Sequence, residues 1–488
     1  MRMMGDFLKA VLKDVEFGVG PTDGDGQSSF CLCKKCSFIK VKIDSDSGFK
    51  TEFCIDSRIV TKGQIYCAIP GACVDGHDFL IEAIKNGAVG LLLHFSHREK
   101  LKAISPFLLH GKLIIFVEST TDALIKLAYA WRSTFTCPIV GVTGSLGKTT
   151  TKEMLRGILN QGGKKACVSR GNLNTNLGVA LSLLAMDSEH KIGVFEVGIN
   201  DKGKMDEIAD LLRPTIGVIT CVAHSHLKGL GTQQGVAQEK CRLFKNFGPA
   251  NIGIINGDQK ELDDLYFEYP VIRFGLKTKN QITVRKIKHE AHKTTFNLKI
   301  YNEQKRVFIN SFHTEILQNV LAASAVAAAL ELPFDSIVSG IEKFEGVIGR
   351  FEQKRVTDGN GIVISDCYNA SPESMRAALE TIGSMKANHK VAILGDMLEL
   401  GEKESYWHRQ IGRVLCRVRS ISHVILVGER AKAIAKTAPI TTKTSVASDW
   451  KDALDQLKVF LKGKKDSLVL VKASRALRLD RLVKSVTL

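Results

Sequence analysis

The chain has 488 residues, enough for about three domains of ordinary size. Apolar residues make up 44% and charged residues 24%, the balance of a soluble globular protein, which excludes collagen-like, coiled-coil and disordered classes. Its 68 Lys and Arg outnumber 51 Asp and Glu by 17, a surplus that favours anionic partners: nucleotides, phosphorylated metabolites, nucleic acid or an anionic membrane surface.

Residues 1–13 hold no long apolar stretch and include Asp6, so no secretory signal is expected. The 12 cysteines are scattered, and we read them as reduced thiols of a cytoplasmic protein. Cys31, Cys33 and Cys36 have metal-like spacing, but the second ligand pair is missing, so a solvated loop is the preferred reading. Residues 18–29, rich in Gly, Asp and Ser, read as a loop. Short apolar and amphipathic runs at 63–69, 78–86, 89–93 and 113–117 then predict a small α/β domain ending near Thr136.

Pro138 precedes the apolar run Ile139-Val-Gly-Val-Thr143, which reads as a buried parallel strand, and a helical pattern starts at Lys148. Strand-like runs recur at 192–196, 215–220, 252–255, 362–365, 391–394, 423–427 and 467–471, with helical stretches between. That alternation predicts α/β architecture with parallel sheets covered on both faces. Ligands then belong at the carboxyl ends of the strands. The most apolar helical stretch, 320–330, is alanine-rich and too short for a bilayer, which takes ~20 residues.

Thr143-Gly-Ser-Leu-Gly-Lys-Thr-Thr-Thr151 sits where a strand should hand over to a helix. Gly144 and Gly147 allow backbone N–H groups to approach phosphate oxygens, and the helix N-terminus adds a favourable dipole. Lys148 is placed to reach β/γ-phosphates and the Thr149 hydroxyl to bind Mg²⁺. Gly144, Ser145, Leu146, Gly147, Lys148, Thr149 and Thr150 are therefore the candidate ATP-binding set. Val142 stands where the Walker A spacing wants glycine, with Gly141 one place early; a tight turn with a surface lysine is the competing reading.

Glu196 ends an apolar run, where a buried carboxylate is costly unless paired or metal-bound. His224 and His226 follow another strand, and Lys240 lies in Gln238-Glu-Lys, a basic position open to carbamylation. On residue chemistry alone, Glu196 plus a histidine suggests Mg²⁺ or Mn²⁺, against a satisfied polar strand end. Elsewhere stand Asp56-Ser-Arg58, Asp75-Gly-His77 and Gly171-Asn-Leu-Asn-Thr-Asn-Leu-Gly178, each alone a turn or cap. Asn319 at the head of the alanine-rich helix reads by itself as a helix cap. Later come Gly349-Arg350, Asp366-Cys-Tyr-Asn-Ala-Ser-Pro-Glu-Ser374, Leu394-Gly-Asp-Met-Leu-Glu-Leu-Gly401 with His408, and Val471-Lys-Ala-Ser-Arg475.

Together these segments resemble the Mur ligases, the amide-forming enzymes of peptidoglycan synthesis, across nearly the whole chain. The Tyr-Asn-Ala-x-Pro segment resembles the branch that adds D-alanyl-D-alanine to UDP-N-acetylmuramoyl-tripeptide. The resemblance implies three α/β domains: a UDP-substrate domain at 1–136, a central P-loop ATPase domain at 137–346 and a Rossmann-like closing domain at 347–488. It implies ATP and Mg²⁺ as cofactors, with Lys148, Glu196, His226 and Lys240 catalytic. Thr149, Glu196, His226 and carbamylated Lys240 would form the metal shell. Asn319 would contact adenine, and Arg350 and Asp366 would grip ATP. Ser57 and Arg58 would meet the UDP group, Asn172 and Asn174 the muramoyl part, and Tyr368 and Asn369 the peptide substrates. Cys221 and Arg242 depart from the asparagine and acidic residue usual in the family. The implied protein is a cytoplasmic monomer without nucleic-acid partners or stable membrane insertion. The alternatives are another amide ligase of the superfamily, such as folylpolyglutamate synthase, or a basic nucleic-acid-binding P-loop NTPase.

Overall fold

The computed structural model describes residues 16–19, 52–71, 73–224, 227–290, 293–357 and 361–487, with the side chains at 16–19, 227 and 228 excepted. Cys31, Cys33, Cys36 and His226 lie outside the described residues. The chain forms two compact units, one of residues 1–137, 169–193 and 210–213, the other of 138–168, 194–209 and 214–488.

The first unit holds a five-stranded sheet in the order Glu16–Val19, Leu113–Val117, Gly90–His94, Ile65–Cys67, Phe53–Cys54. Only the Glu16–Val19 edge runs antiparallel. That edge corrects the loop expected at 18–29: Gly18 and Val19 pair with Ile114 and Leu113. Gly18 carries no side chain to bury and no apolar run leads into it, so the sequence showed no strand there. Leu91, Leu92, Leu93, Ile114 and Ile115 are fully buried, as continuous apolar runs in a covered parallel sheet must be. Helix Thr120–Arg132 starts at Ser119, whose hydroxyl accepts from the Asp122 N–H. At its far end buried Arg132 donates to the carbonyls of Leu212 and Arg213, which recruits 210–213 into this unit.

The second unit contains two sheets. Nine strands run in the order Glu303–Ile309, Thr294–Ile300, Ile282–His289, Val271–Phe274, Ile252–Asn256, Ile216–Ile219, Ile139–Thr143, Ile192–Glu196, Ala166–Val168. Six more run in the order Glu352–Arg355, Gly361–Asp366, Ser467–Lys472, His389–Gly395, His423–Val427, Lys443–Ala447. The strands expected from apolar runs are present and parallel where they pair with one another. The chain adds what that pattern hid. Ile282–His289, Thr294–Ile300 and Glu303–Ile309 form an antiparallel extension. Burial in Thr294–Ile300 and Glu303–Ile309 approaches alternation along each strand, so one face meets water and no continuous apolar run marks them. Among the described residues no helix is long and apolar enough to cross a membrane.

Candidate nucleotide and ligation site

The phosphate loop leaves the carboxyl end of Ile139–Thr143 and enters helix Lys148–Gln161. Gly144 has φ 149°, and a Cβ there would lie 1.9 Å from Thr220 Oγ1. Gly147 caps the helix at φ 81°, and its Cβ would lie 2.2 Å from Asn319 Oδ1. Both positions therefore demand glycine on conformation and on space. The loop is braced from the neighbouring strand: Ser145 N–H donates to the Cys221 carbonyl at 2.8 Å and Leu146 N–H to Cys221 Sγ at 3.3 Å. Cys221, in the family's asparagine position, thus holds the loop's shape. Burial pushes its thiol up to about 11, which keeps it protonated.

Lys148 Nζ donates to the Gly144 carbonyl at 2.8 Å, folding back over the loop it should serve. Burial, with Arg350 nearby, lowers its ammonium pKa, partly offset by Glu196. Fully buried Glu196 accepts from Thr149 Oγ1 at 2.8 Å. Arg350 Nη2 in turn donates to that hydroxyl at 2.7 Å. Lys152, also fully buried, lies 3.7 Å from Glu196 Oε2 and 3.0 Å from Glu153 Oε1. Lys152 is a residue the sequence reading missed. Its signal was its place four residues after Lys148, on the same helix face.

Lys240 is buried, and burial followed by repulsion from Lys148 brings its pKa down to about 7. Arg242, half exposed, pairs with Asp206 at 2.7 Å. His224 N–H and Nδ1 lie 3.0 and 2.5 Å from Glu373 Oε1, and its ring lies 4.3 Å from that of Trp407. The described histidine of the pair is thus engaged by the segment after Asp366 rather than by Glu196.

Asn319 does not cap its helix. Ile316–Ala329 begins three residues earlier, at a Glu315 cap, and Asn319 Oδ1 instead accepts from Thr151 Oγ1 at 3.2 Å. A one-turn error in the helix start misplaced it. Beyond Arg350, the Phe351 N–H donates to Asp366 Oδ1 at 3.2 Å, and buried Lys472 reaches Asp366 Oδ2 at 2.5 Å and the Asn369 carbonyl at 3.3 Å. Lys472 is the second buried lysine the sequence reading missed, although its Val-Lys-Ala-Ser segment was noted. Tyr368 carries the Arg350 guanidinium at 4.2 Å from its ring centroid. Lys148, Thr149, Glu196, Asn319, Arg350 and Tyr368 are thus linked by direct contacts or through the loop, with Asp366 anchored beside them.

In the first unit Ser57 is buried, its hydroxyl donating to Glu82 and its carbonyl accepting from Asn86 at 2.8 Å. Arg58 is exposed and held by Asp56 at 2.7 and 2.8 Å. The Asn174 N–H donates to the Asn172 carbonyl at 2.7 Å, in the turn before helix Asn176–Leu184. Asp75 accepts from both His77 Nδ1 at 2.6 Å and His97 Nε2 at 2.9 Å, a set with metal-like proximity. However, His77 Nε2 accepts the His94 N–H at 3.0 Å, so its proton sits on Nδ1 and that nitrogen is a donor rather than a ligand.

Two family models match the chain: the Mur ligase middle domain at residues 142–327 and the Mur ligase glutamate ligase domain at 349–475. The chain is 30% identical over 435 residues to UDP-N-acetylmuramoyl-tripeptide–D-alanyl-D-alanine ligase of Bacillus subtilis strain 168, covering 88% of this chain and 92% of that one. MurF from Acinetobacter baumannii superposes with a TM-score of 0.75 at 26% identity, over 89% of this chain and 92% of that chain. MurF from Thermotoga maritima in complex with ADP gives 0.72 at 27% identity, over 89% and 96%.

Proposed function

The chain belongs to the Mur ligase family, and from that membership we infer that it is an ATP-dependent ligase joining D-alanyl-D-alanine to UDP-N-acetylmuramoyl-tripeptide. The product is the pentapeptide precursor of peptidoglycan. The observation that carries this reading is the bonded chain Glu196–Thr149–Arg350 at the mouth of a glycine-dependent phosphate loop.

A carboxylate is a poor acyl donor because its leaving oxygen is too basic. The tripeptide carboxylate takes the γ-phosphoryl group of ATP, forming a C–O–P link and releasing ADP. The dipeptide amine then attacks the acyl carbon, and the tetrahedral intermediate expels phosphate as the amide forms and the amine sheds its proton. Two anions must meet in the first step, so cations must stand at the loop beforehand. Lys148 is placed to leave the Gly144 carbonyl for the phosphates, and Arg350 to move from the Thr149 hydroxyl onto them. Asp366, bridged to Phe351 and Lys472, fixes the strand end from which Tyr368 and Asn369 face the substrates.

Thr149 and Glu196 supply hard oxygen donors close together, a set that fits Mg²⁺, and these two residues would hold it. Bound there, the ion would neutralise charge on the transferring phosphoryl group. Lys240 with a pKa of about 7 is largely able to present a neutral amine, the form that takes up carbon dioxide as a carbamate. His226 is assigned beside Glu196 by family pattern alone, as are Ser57, Arg58, Asn172 and Asn174 for the UDP-muramoyl substrate. We assign 1–136, 137–346 and 347–488 to the UDP-substrate, ATPase and closing domains, in a monomeric cytoplasmic enzyme serving cell-wall growth and division.

The test is coupled phosphate release by the purified chain with ATP and Mg²⁺. Release should require both UDP-muramoyl-tripeptide and D-alanyl-D-alanine, and Lys148→Ala should abolish it while UDP-substrate binding persists. Release stimulated by DNA or RNA without the peptide precursors would overturn the reading.

A further inference from the structure

The incoming dipeptide brings its own difficulty: it enters an anion-crowded site carrying a carboxylate. That group needs a cation not already committed to the nucleotide. We propose that Arg475 holds the terminal carboxylate of the dipeptide, which rests on the ligase reading and assigns its amine-donor subsite.

Tyr368 is the ruler. The Arg350 and Arg475 guanidinium carbons lie 4.2 and 5.2 Å from its ring centroid, hence at most 9.4 Å from each other. Arg350 reaches the phosphate loop directly, through Thr149 Oγ1 at 2.7 Å. Arg475 therefore shares one aromatic ring with the guanidinium that marks where the acyl phosphate forms. An extended chain advances ~3.3–3.6 Å per residue, so a dipeptide spans ~7 Å from amine to carboxylate. A carboxylate seated on Arg475 lets the amine reach the Arg350 side, with the two alanine methyls over Tyr368.

The neighbouring cations are already engaged. Lys472 is buried against Asp366 and the Asn369 carbonyl, and Arg350 holds Thr149. Arg475 is exposed, and among the described residues no carboxylate pairs with it. It is nevertheless held in place. It opens the turn Arg475–Leu477 after buried Ser474, whose hydroxyl accepts the Leu398 N–H at 3.0 Å and whose own N–H donates to the Asp396 carbonyl. Contact with the Tyr368 ring leaves the guanidinium edge open for a bidentate carboxylate.

The experiment compares D-alanyl-D-alanine with its C-terminal carboxamide as amine donors for the full-length chain. The unaltered enzyme should prefer the acid. Arg475→Gln should raise KM for the acid by roughly tenfold or more, the usual loss on removing a charge-paired partner. Its preference for acid over amide should vanish while KM for ATP stays unchanged, and Arg475→Lys should restore part of it. Retention of the acid preference in Arg475→Gln overturns the proposal. A KM increase confined to ATP also overturns it and makes Arg475 a phosphate contact. Failure of the unaltered chain to ligate either donor would instead overturn the ligase reading, and the proposal with it.

Discussion

Replacing Lys240 with methionine should make the protein more stable while removing its activity. Lys240 is buried to 1% exposure and its pKa falls from 10.5 to about 7. Between those values the native state has shed a proton that the unfolded chain keeps, so this residue makes stability rise with pH across the window. At pH 7 the depressed pKa destabilises the fold by about 4 kcal/mol, and at pH 9.5 by about 1 kcal/mol. Methionine fills similar volume without a charge. In urea denaturation in carbon-dioxide-free buffer, Lys240→Met should therefore gain stability at pH 7, with the gain about 3 kcal/mol smaller at pH 9.5. Ligation by the variant should be absent at both pH values. A variant less stable than the parent at pH 7, or a gain independent of pH, would refute the reasoning.

Gly147→Ala places a Cβ 2.2 Å from Asn319 Oδ1 at φ 81°. It should lose about 1–2 kcal/mol of stability from left-handed strain alone, and KM for ATP should rise; unaltered ATP kinetics would contradict the loop assignment. Lys152→Met and Glu196→Gln each leave a buried partner behind and should each destabilise by about 3 kcal/mol or more. The double variant should fall short of their sum by about 1–3 kcal/mol, and additive losses in denaturation would deny that the pair interacts. Among the described residues, Trp407 Nε1 is shielded from solvent and finds no hydrogen-bond partner. Trp407→Phe removes that unpaired donor, worth ~1–3 kcal/mol, and should leave the melting temperature unchanged or raised; a clear fall would show that the indole N–H is satisfied.

The parallel strands and the phosphate loop were legible because burial on both faces writes an unbroken apolar run, and because a strand-to-helix turn at a phosphate needs glycine. Neither condition holds at Thr294–Ile300 or Glu303–Ile309, where one face meets water, and those strands went unread. Glu196 was legible as a carboxylate in an apolar run, but its answering cation was not. Buried Lys472 pairs with a carboxylate 106 positions away in sequence, and buried Lys152, beside Glu153, also meets Glu196, 44 positions away. Only the closed fold brings those charges together. Asn319, read by itself as a helix cap, lies one turn inside a helix that starts at Ile316, because no side-chain cap marks that start.

The electrostatics of the loop have one sign. Burial lowers the pKa of both Lys148 and Lys240, Arg350 adds to the effect on Lys148 and Lys148 to that on Lys240, and Arg350 stands as a third positive group on the Thr149 hydroxyl. Glu196 offsets Lys148 and is shared with Lys152, while Glu239 offsets Lys240. Holding like charges together in a poorly solvated space destabilises the empty fold. A polyanion entering the loop relieves that repulsion and meets donors already in position, so little reorganisation remains for the moment of phosphoryl transfer. The same arrangement explains why Arg350 rests on a hydroxyl rather than a carboxylate. A neutral partner releases it readily to the phosphates, whereas a salt bridge to Glu196 would have to be broken each cycle.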